Sequence, residues 1–320
     1  MEYDMNLNSS FDHLARNAET VLPAEALESK LLASQESGRP LRVKLGFDPT
    51  SPDLHLGHAV VLRKLREFQE LGHQIVLIVG GFTAQIGDPT GRNKTRPPLS
   101  EDQIERNAQT YLDQFGKVVN LENVEVRDNR EWLDKLTPPQ LLQIMSSVTV
   151  GQILQRHDFN QRYNNEIPIG MHELMYPIFQ AMDSVEIKAD IELGGSDQFF
   201  NCMLGRKLQA SYGLPEQTVI CMPLLIGLDG HEKMGKSQGN YIGLTEDPIN
   251  MFGKVMSIPD ELLPNYIDLA SSFSSDEREA LKAQLDDPNV NPMHIKKRLA
   301  LNITSIYHSQ EAANHAESIF

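Results

Sequence analysis

Two cysteines in 320 residues, Cys202 and Cys221, stand in no metal-ligand spacing. So few make a disulfide framework implausible, and reduced thiols in a cytoplasm are the expectation. Long apolar runs are missing as well. The longest, Ile75 to Phe82, falls far short of the roughly 20 residues that cross a bilayer. The first ten residues carry no basic region followed by an apolar one, so no leader and no membrane partner are expected. Positive charge is scarce: 29 Lys and Arg against 44 Asp and Glu, a net of −15. That argues against a general polyanion binder, although not against a local basic site on an acidic body. What remains, 40% hydrophobic and 23% charged residues, is ordinary for a globular chain. The length suggests about two domains, each able to bury a core.

Hydrophobic spacing predicts a helix over 11–38, a strand over 41–47, a helix over 59–71 ended by Gly72, and an apolar strand over 74–79. Strand, helix and strand in this order form a βαβ unit and imply a parallel sheet. Residues 100–150 read as mainly helical, broken at Pro138-Pro139. Further on come a helix over 172–183, a strand over 185–193 running into Gly194-Gly195, a helix over 197–212 and a strand over 217–222. A polar Gly-containing loop fills 228–241, and the pattern is helical from Thr245, where a domain boundary is placed.

His55-Leu56-Gly57-His58 follows a strand and a Pro-rich turn and opens a helix. Helix N-termini attract phosphate, and imidazoles can donate hydrogen bonds to its oxygens. Gly57 leaves out a side chain where a base or ribose could approach. Alone, the four residues are as readily a helix start that happens to hold two histidines. Lys233-Met234-Gly235-Lys236-Ser237 lies in the polar loop. Lysines there can close over a triphosphate and stabilise departing pyrophosphate. Alone, this is more readily a solvated loop.

The two motifs in this order resemble the paired signatures of class I aminoacyl-tRNA synthetases. Further segments narrow the likeness: Gly46-Phe47-Asp48-Pro49-Thr50, Gly80-Gly81-Phe82-Thr83, Ile86 to Arg92, and Gly194-Gly195-Ser196-Asp197-Gln198. Tyr176, Gln180 and Asp183 add one helix face. From about Leu41 to Tyr241 the order and spacing resemble tyrosyl-tRNA synthetases.

That resemblance implies a Rossmann-like doubly wound α/β domain over 1–244 with a helical insertion at about 100–180. It implies a small all-α domain over 245–320 that approaches the anticodon arm. It implies L-tyrosine, ATP with Mg²⁺, and tRNA(Tyr) as substrates, with no protein-bound metal. It also implies a homodimer, for which the stretch Met145 to Leu154 is the expected interface. Asp183 is similar to the carboxylate that accepts the substrate phenol. Asp88, Tyr176 and Gln180 resemble the holders of the α-ammonium, Gln198 the contact to the carboxyl region, and Thr83 a pocket wall. Gly46, Asp48, Gly57, Gly195 and Asp197 resemble the adenosine cradle, with Leu225, Ile226 and Met234 beside the base. Thr50, His55 and His58 face the phosphates, and Lys233, Lys236, Arg92 and Arg96 the pyrophosphate.

Two positions depart from the family pattern. Many members carry tyrosine at Lys44, where its hydroxyl touches the phenol. Lys44 here reaches the phenol, pairs with a buried carboxylate or points away, which leaves Asp183 as the expected phenol partner. Gly235 stands where serine is commoner. The alternatives are a tryptophanyl-tRNA synthetase, against which Tyr176, Gln180 and Asp183 argue, and a non-catalytic RNA-binding paralogue. Members usually continue into a basic RNA-binding domain. The chain is therefore expected to be a fragment that makes tyrosyl-adenylate but charges tRNA poorly, and its acidity marks it as the part that does not chiefly grip RNA.

Overall fold

A computed structural model describes residues 7–50, 52–90 and 100–320. Arg92 and Arg96 lie outside the described residues. The chain forms two compact units: one runs to Pro52 and resumes over Lys64–Pro223, and the other joins Asp53–Arg63 to Leu224–Phe320. The second unit thus starts earlier along the chain than the boundary expected at 245, and it takes in both paired motifs.

The first unit is built on a six-stranded sheet of β1 (Thr20–Leu22), β2 (Arg42–Phe47), β3 (Gln74–Val79), β4 (Glu125–Asp128), β5 (Ile191–Gly195) and β6 (Thr218–Met222). Their order is β1-β6-β5-β2-β3-β4. Every pairing is parallel except β1 with β6. β3 is buried from Ile75 to Val79, as its unbroken apolar run requires of a strand covered on both faces. From β2 the chain winds outward through β3 and β4, then returns to β5 on the other side of β2. The switch point between β2 and β5 is where a doubly wound sheet opens a crevice at its strands' carboxyl ends. Helix Met171–Glu186 covers this part of the sheet and buries Ile178, Ala181, Met182 and Val185 in a core with Val76 and Ile78.

Three local expectations are corrected. Residues 11–38 are not one helix: Leu7–Ala15 and Ala24–Ser37 are separated by β1. Pro23, whose ring cannot continue a helix, caps the second. Residues 100–150 contain β4, and Pro138-Pro139 open helix Pro138–Ser146 rather than break one, because proline fits a helix's first turn. Residues 185–190 are not strand. The helix runs on to Glu186 because Val185 and Ile187 bury themselves in its core.

The second unit is helical after its loop, from Pro248–Met256 to Gln310–Ile319. Its core includes Phe252, Tyr266 and Leu299, all buried. Among the described residues, no helix is long and apolar enough to cross a membrane.

Candidate active site

At the switch point, register decides which side chains meet. Lys44 of β2 stands opposite Glu192 of β5. Both are buried, and the Lys44 ammonium lies 2.9 Å from the Glu192 carboxylate. It also donates to Ser184 Oγ at 2.8 Å and to the Gln180 carbonyl at 3.0 Å. Of the three possibilities for Lys44, the structure shows the buried carboxylate. Gly46 follows on the same strand face. An added Cβ there would meet Ile78 Cβ at 4.0 Å, an ordinary contact.

Asp183 is buried one helical turn beyond Gln180. Its Oδ1 accepts the indole N–H of Trp132 at 3.0 Å. Burial raises its pKa to about 7, against the opposing pull of Lys44 and the hydrogen bonds from Trp132 and Asn129. Asn129 also donates to Thr83 Oγ1 at 3.1 Å. Thr83 in turn donates to Asp48 Oδ1 at 2.8 Å, and the Tyr176 hydroxyl donates to Asp48 Oδ2 at 2.9 Å. Burial, reinforced by Asp48 and Asp88, holds that phenol protonated far above its ordinary range. The expected pocket wall and the first cradle carboxylate are therefore wired together with an ammonium-side residue. Gly80 is obligatory here, because a Cβ would run into Asp48 and Thr83.

Asp88 accepts from the Thr90 backbone at 2.8 Å, the Thr90 hydroxyl at 2.6 Å and Gln198 Nε2 at 2.7 Å. Asn201 donates to Gln180 Oε1 at 3.1 Å and to Gln198 Oε1 at 3.0 Å. Arg156 donates to Asn201 Oδ1 at 3.2 Å and approaches Asp88 at 3.4 Å. Gly195 ends β5, and the half-buried Asp197 follows it.

The second unit carries the paired motifs. His55 bridges to Gly243, and the Leu56 N–H donates to the Ile242 carbonyl at 3.0 Å, so the segment at 242–243 anchors the helix start. The two imidazoles lie 3.9 Å apart, and the His55 backbone N–H donates to His58 Nδ1 at 3.2 Å. That leaves His58 Nε2 as the protonated nitrogen of a neutral ring. Burial, then the nearby Lys236, lowers the His58 pKa to about 4. Burial and His58 push His55 further down still. Both rings are neutral donors at physiological pH. His55 Nδ1 is buried with no hydrogen-bond partner in the structure. An added Cβ at Gly57 would crowd the His55 ring at 3.0 Å, so the glycine keeps this imidazole in place.

The lysine loop begins as a tight ribbon. Met234 N–H donates to the Leu225 carbonyl at 2.7 Å, Ile226 bridges Lys233, and the Leu225 and Met234 side chains are buried. Asn240 holds the loop by accepting from Gly235 N–H at 2.8 Å and donating to the Lys233 carbonyl at 3.2 Å. Lys233 is exposed. Lys236 donates to the Asp53 carbonyl and lies 3.8 Å from its carboxylate. Burial lowers the Lys236 pKa.

The structure thus gathers eight expected residues into a first cluster made of two hydrogen-bonded networks, Asp48, Thr83, Tyr176 and Asp183 in one and Lys44, Asp88, Gln180 and Gln198 in the other. It gathers His55, Gly57, His58, Leu225, Ile226, Met234 and Lys236 in the second. The Thr50 N–H donates to the Asp48 carbonyl at 2.7 Å. Asn129, Trp132, Arg156, Glu192 and Asn201 belong to the first cluster and were not anticipated. One signal pointed to them: Trp132 is the chain's single tryptophan, and a buried indole N–H needs an acceptor.

A mostly parallel nucleotide-type sheet with His55–His58 at a helix start and paired lysines on a loop defines a class I tRNA synthetase. Residues 35–320 match the family model for class I tRNA synthetases (W and Y), and the chain belongs to that family. Within it, the chain groups with the tyrosine–tRNA ligases. It is 50% identical over 317 residues to tyrosine–tRNA ligase 2 of Photorhabdus laumondii, covering 98% of this chain and 79% of that one. It is 50% identical over 290 residues to the tyrosine–tRNA ligase of Aquifex aeolicus, covering 91% and 73%. The fold resembles Archaeoglobus fulgidus tyrosyl-tRNA synthetase complexed with L-tyrosine, at TM-score 0.77 and 21% identity over 97% of this chain and 99% of that one. It also resembles Plasmodium falciparum tryptophanyl-tRNA synthetase, at TM-score 0.71 and 16% identity, covering 99% and 90%. Structural likeness at that level shows the shared fold; the sequence relatives separate tyrosine from tryptophan.

Proposed function

We propose that the chain joins L-tyrosine to ATP, giving tyrosyl-adenylate and pyrophosphate, and then passes the tyrosyl group to the 3′ end of tRNA(Tyr). In the first step a tyrosine carboxylate oxygen attacks the α-phosphorus. The bond to the β-phosphate oxygen breaks and pyrophosphate carries away the electron pair. In the second, a terminal ribose hydroxyl attacks the activated carbonyl and AMP leaves. Neither step needs a covalent enzyme intermediate, so catalysis is positioning and stabilisation of spreading charge.

Asp183 accepts the substrate phenol at the base of the site. This observation carries the reading: a buried carboxylate has one oxygen fixed by Trp132, beside a Lys44 whose charge is already matched by Glu192. An apolar ring of the same size excludes water from that carboxylate without supplying the phenol's hydrogen bond, which is the costly outcome. Asp88, Tyr176 and Gln180 hold the α-ammonium, Gln198 orients the carboxyl end, and Thr83 forms the wall. Gly46, Asp48, Gly195 and Asp197 cradle the adenosine, and Leu225, Ile226 and Met234 flank the base. Thr50 and the neutral His55 and His58 donate to phosphate oxygens. Lys233, Lys236, Arg92 and Arg96 meet the leaving pyrophosphate, with Mg²⁺ entering on the ATP phosphates. The active form is a homodimer joined around Met145–Leu154.

Tyrosine-dependent ATP–pyrophosphate exchange tests the assignment. Exchange with tyrosine and none with tryptophan or phenylalanine is expected. No exchange with tyrosine sinks the proposal, and exchange with tryptophan favours the other branch of the family.

A further inference from the structure

Arg156 lies outside the motifs singled out above, yet it ends a hydrogen-bond chain that runs through Asn201 to Gln180 and Gln198. It precedes helix His157–Asn164 as its N-cap. Its guanidinium is buried, lies over the Phe159 ring with the carbon 4.8 Å from the centroid, and is gripped along one edge by Asp158 through two bonds of 2.8 Å. Ring stacking and a bidentate carboxylate fix the plane of the fork, which a lysine could not reproduce. The remaining N–H groups point at Asn201 Oδ1 (3.2 Å) and Thr90 Oγ1 (3.0 Å).

The chemistry of the ends fixes the direction of everything between them. Arginine only donates, so Asn201 must turn its oxygen to Arg156 and its NH₂ away. That NH₂ donates to the oxygens of both Gln180 and Gln198. The two glutamines must then point their own NH₂ groups outward. Both find acceptor-only carboxylates: Asp88 at 2.7 Å from Gln198, and Glu192 at 3.4 Å from Gln180. Three amides, each of which could flip in isolation, are held in one orientation.

We propose that Arg156 is a positioning residue for recognition of the substrate's α-ammonium. Through Asn201 it orients the Gln180 and Gln198 amides, and its pairing with Asp158 leaves the Asp88 charge available to the incoming cation. This rests on the reading of Asp88, Tyr176 and Gln180 as the ammonium holders. The charge arrangement supports it. Asp158 takes Arg156 through two bonds of 2.8 Å, while Asp88 accepts from it only at 3.4 Å, so Asp158 is the arginine's principal counter-charge.

The sign of the effect distinguishes this role from simple electrostatics. On charge alone, removing a buried cation beside Asp88 strengthens binding of an ammonium group. Loss of positioning weakens it. The test measures inhibition of tyrosine-dependent exchange by tyramine, which keeps the ammonium, and by 3-(4-hydroxyphenyl)propionate, which keeps the carboxylate and lacks the ammonium. In Arg156→Met and in Asn201→Leu, tyramine is expected to weaken about tenfold or more, the loss of a hydrogen bond to a charged group. The propionate, whose carboxylate meets only Gln198 of this network, should weaken by a clearly smaller factor than tyramine. Asp158→Asn, which frees Arg156 to close on Asp88, should weaken tyramine in the same selective way. It carries the test if Arg156→Met does not fold. Equal weakening of both ligands, or tighter tyramine in Arg156→Met, overturns the proposal. Asp88→Asn is the reference. If it fails to discriminate against tyramine, the ammonium site itself is misassigned. If it discriminates and the Arg156, Asn201 and Asp158 variants do not, only the role of Arg156 falls.

Discussion

The two units solve opposite problems. In the first, the groups around Asp183 and Asp88 are bonded to their neighbours before any ligand arrives: the Lys44 ammonium donates to Gln180, Ser184 and Glu192, and the Asp48 carboxylate accepts from Thr83 and Tyr176. In the second, His55 Nδ1 is buried without a partner, both imidazoles are neutral, and Lys233 is exposed. A rigid, neutral-to-polar amino acid is best read by a preorganised set of partners. Charge that develops only as a bond breaks is stabilised by donors already aimed at where it appears, a task that neutral imidazoles at a helix start can serve.

Five measurements can break or sharpen that contrast. The largest effect belongs to the buried pair. Glu192→Leu leaves Lys44 uncompensated and should cost about 3–5 kcal/mol in urea unfolding, while Lys44→Met with Glu192→Leu should recover most of it. If the single variant is as stable as wild type, the first cluster is not held by its charges. Next, Lys236→Ala should lower kcat for exchange about 10²–10³-fold with little change in the KM for tyrosine. An equal effect on both would place Lys236 in ground-state binding. Asp183→Ala should reduce kcat/KM for tyrosine about a hundredfold or more while the variant still folds. Near wild-type exchange would mean the phenol lies elsewhere.

A smaller effect is the pH dependence. The Asp183 pKa is raised from 3.8 to about 7, so folding favours its protonated form. Its contribution to stability is complete below about pH 4 and is lost as pH rises through about 7. Recognition runs the other way, because ionised Asp183 is the better acceptor for the phenol. kcat/KM for tyrosine should climb through about pH 7, and Lys44→Met, which removes a cation, should move that midpoint upward. A flat profile contradicts the assignment. Smallest is Gly235→Ser. Gly235 has φ −164, and the nearest atom to an added Cβ is 3.8 Å away. Stability and kcat should stay within about 0.5 kcal/mol of wild type.

Much of the site was legible because nucleotide and amino-acid binders keep their chemistry in short segments at strand ends. His55–His58, Asp88 and Lys233–Lys236 stood out as short segments, Asp183 on a helix face with Tyr176 and Gln180 whose role came from the resemblance, and β2 and β3 were plain from their apolar pattern. Glu192 was not, because its importance arises from register: it stands opposite Lys44 only once β5 pairs with β2. Arg156 and Asn201 lie 45 positions apart and meet only through helix packing. β1 and β4 escaped because strands of three and four residues carry too little alternation to be told from helix ends.

The lone Trp132 has a further use. Its indole N–H rests on Asp183, and no other tryptophan in the chain contributes emission. Intrinsic fluorescence excited at the red edge therefore reports from one place, the carboxylate proposed to meet the phenol. The protein carries its own optical gauge of that group. A pH titration of the emission should follow Asp183 ionisation without any label, and a tyrosine titration should shift the same signal.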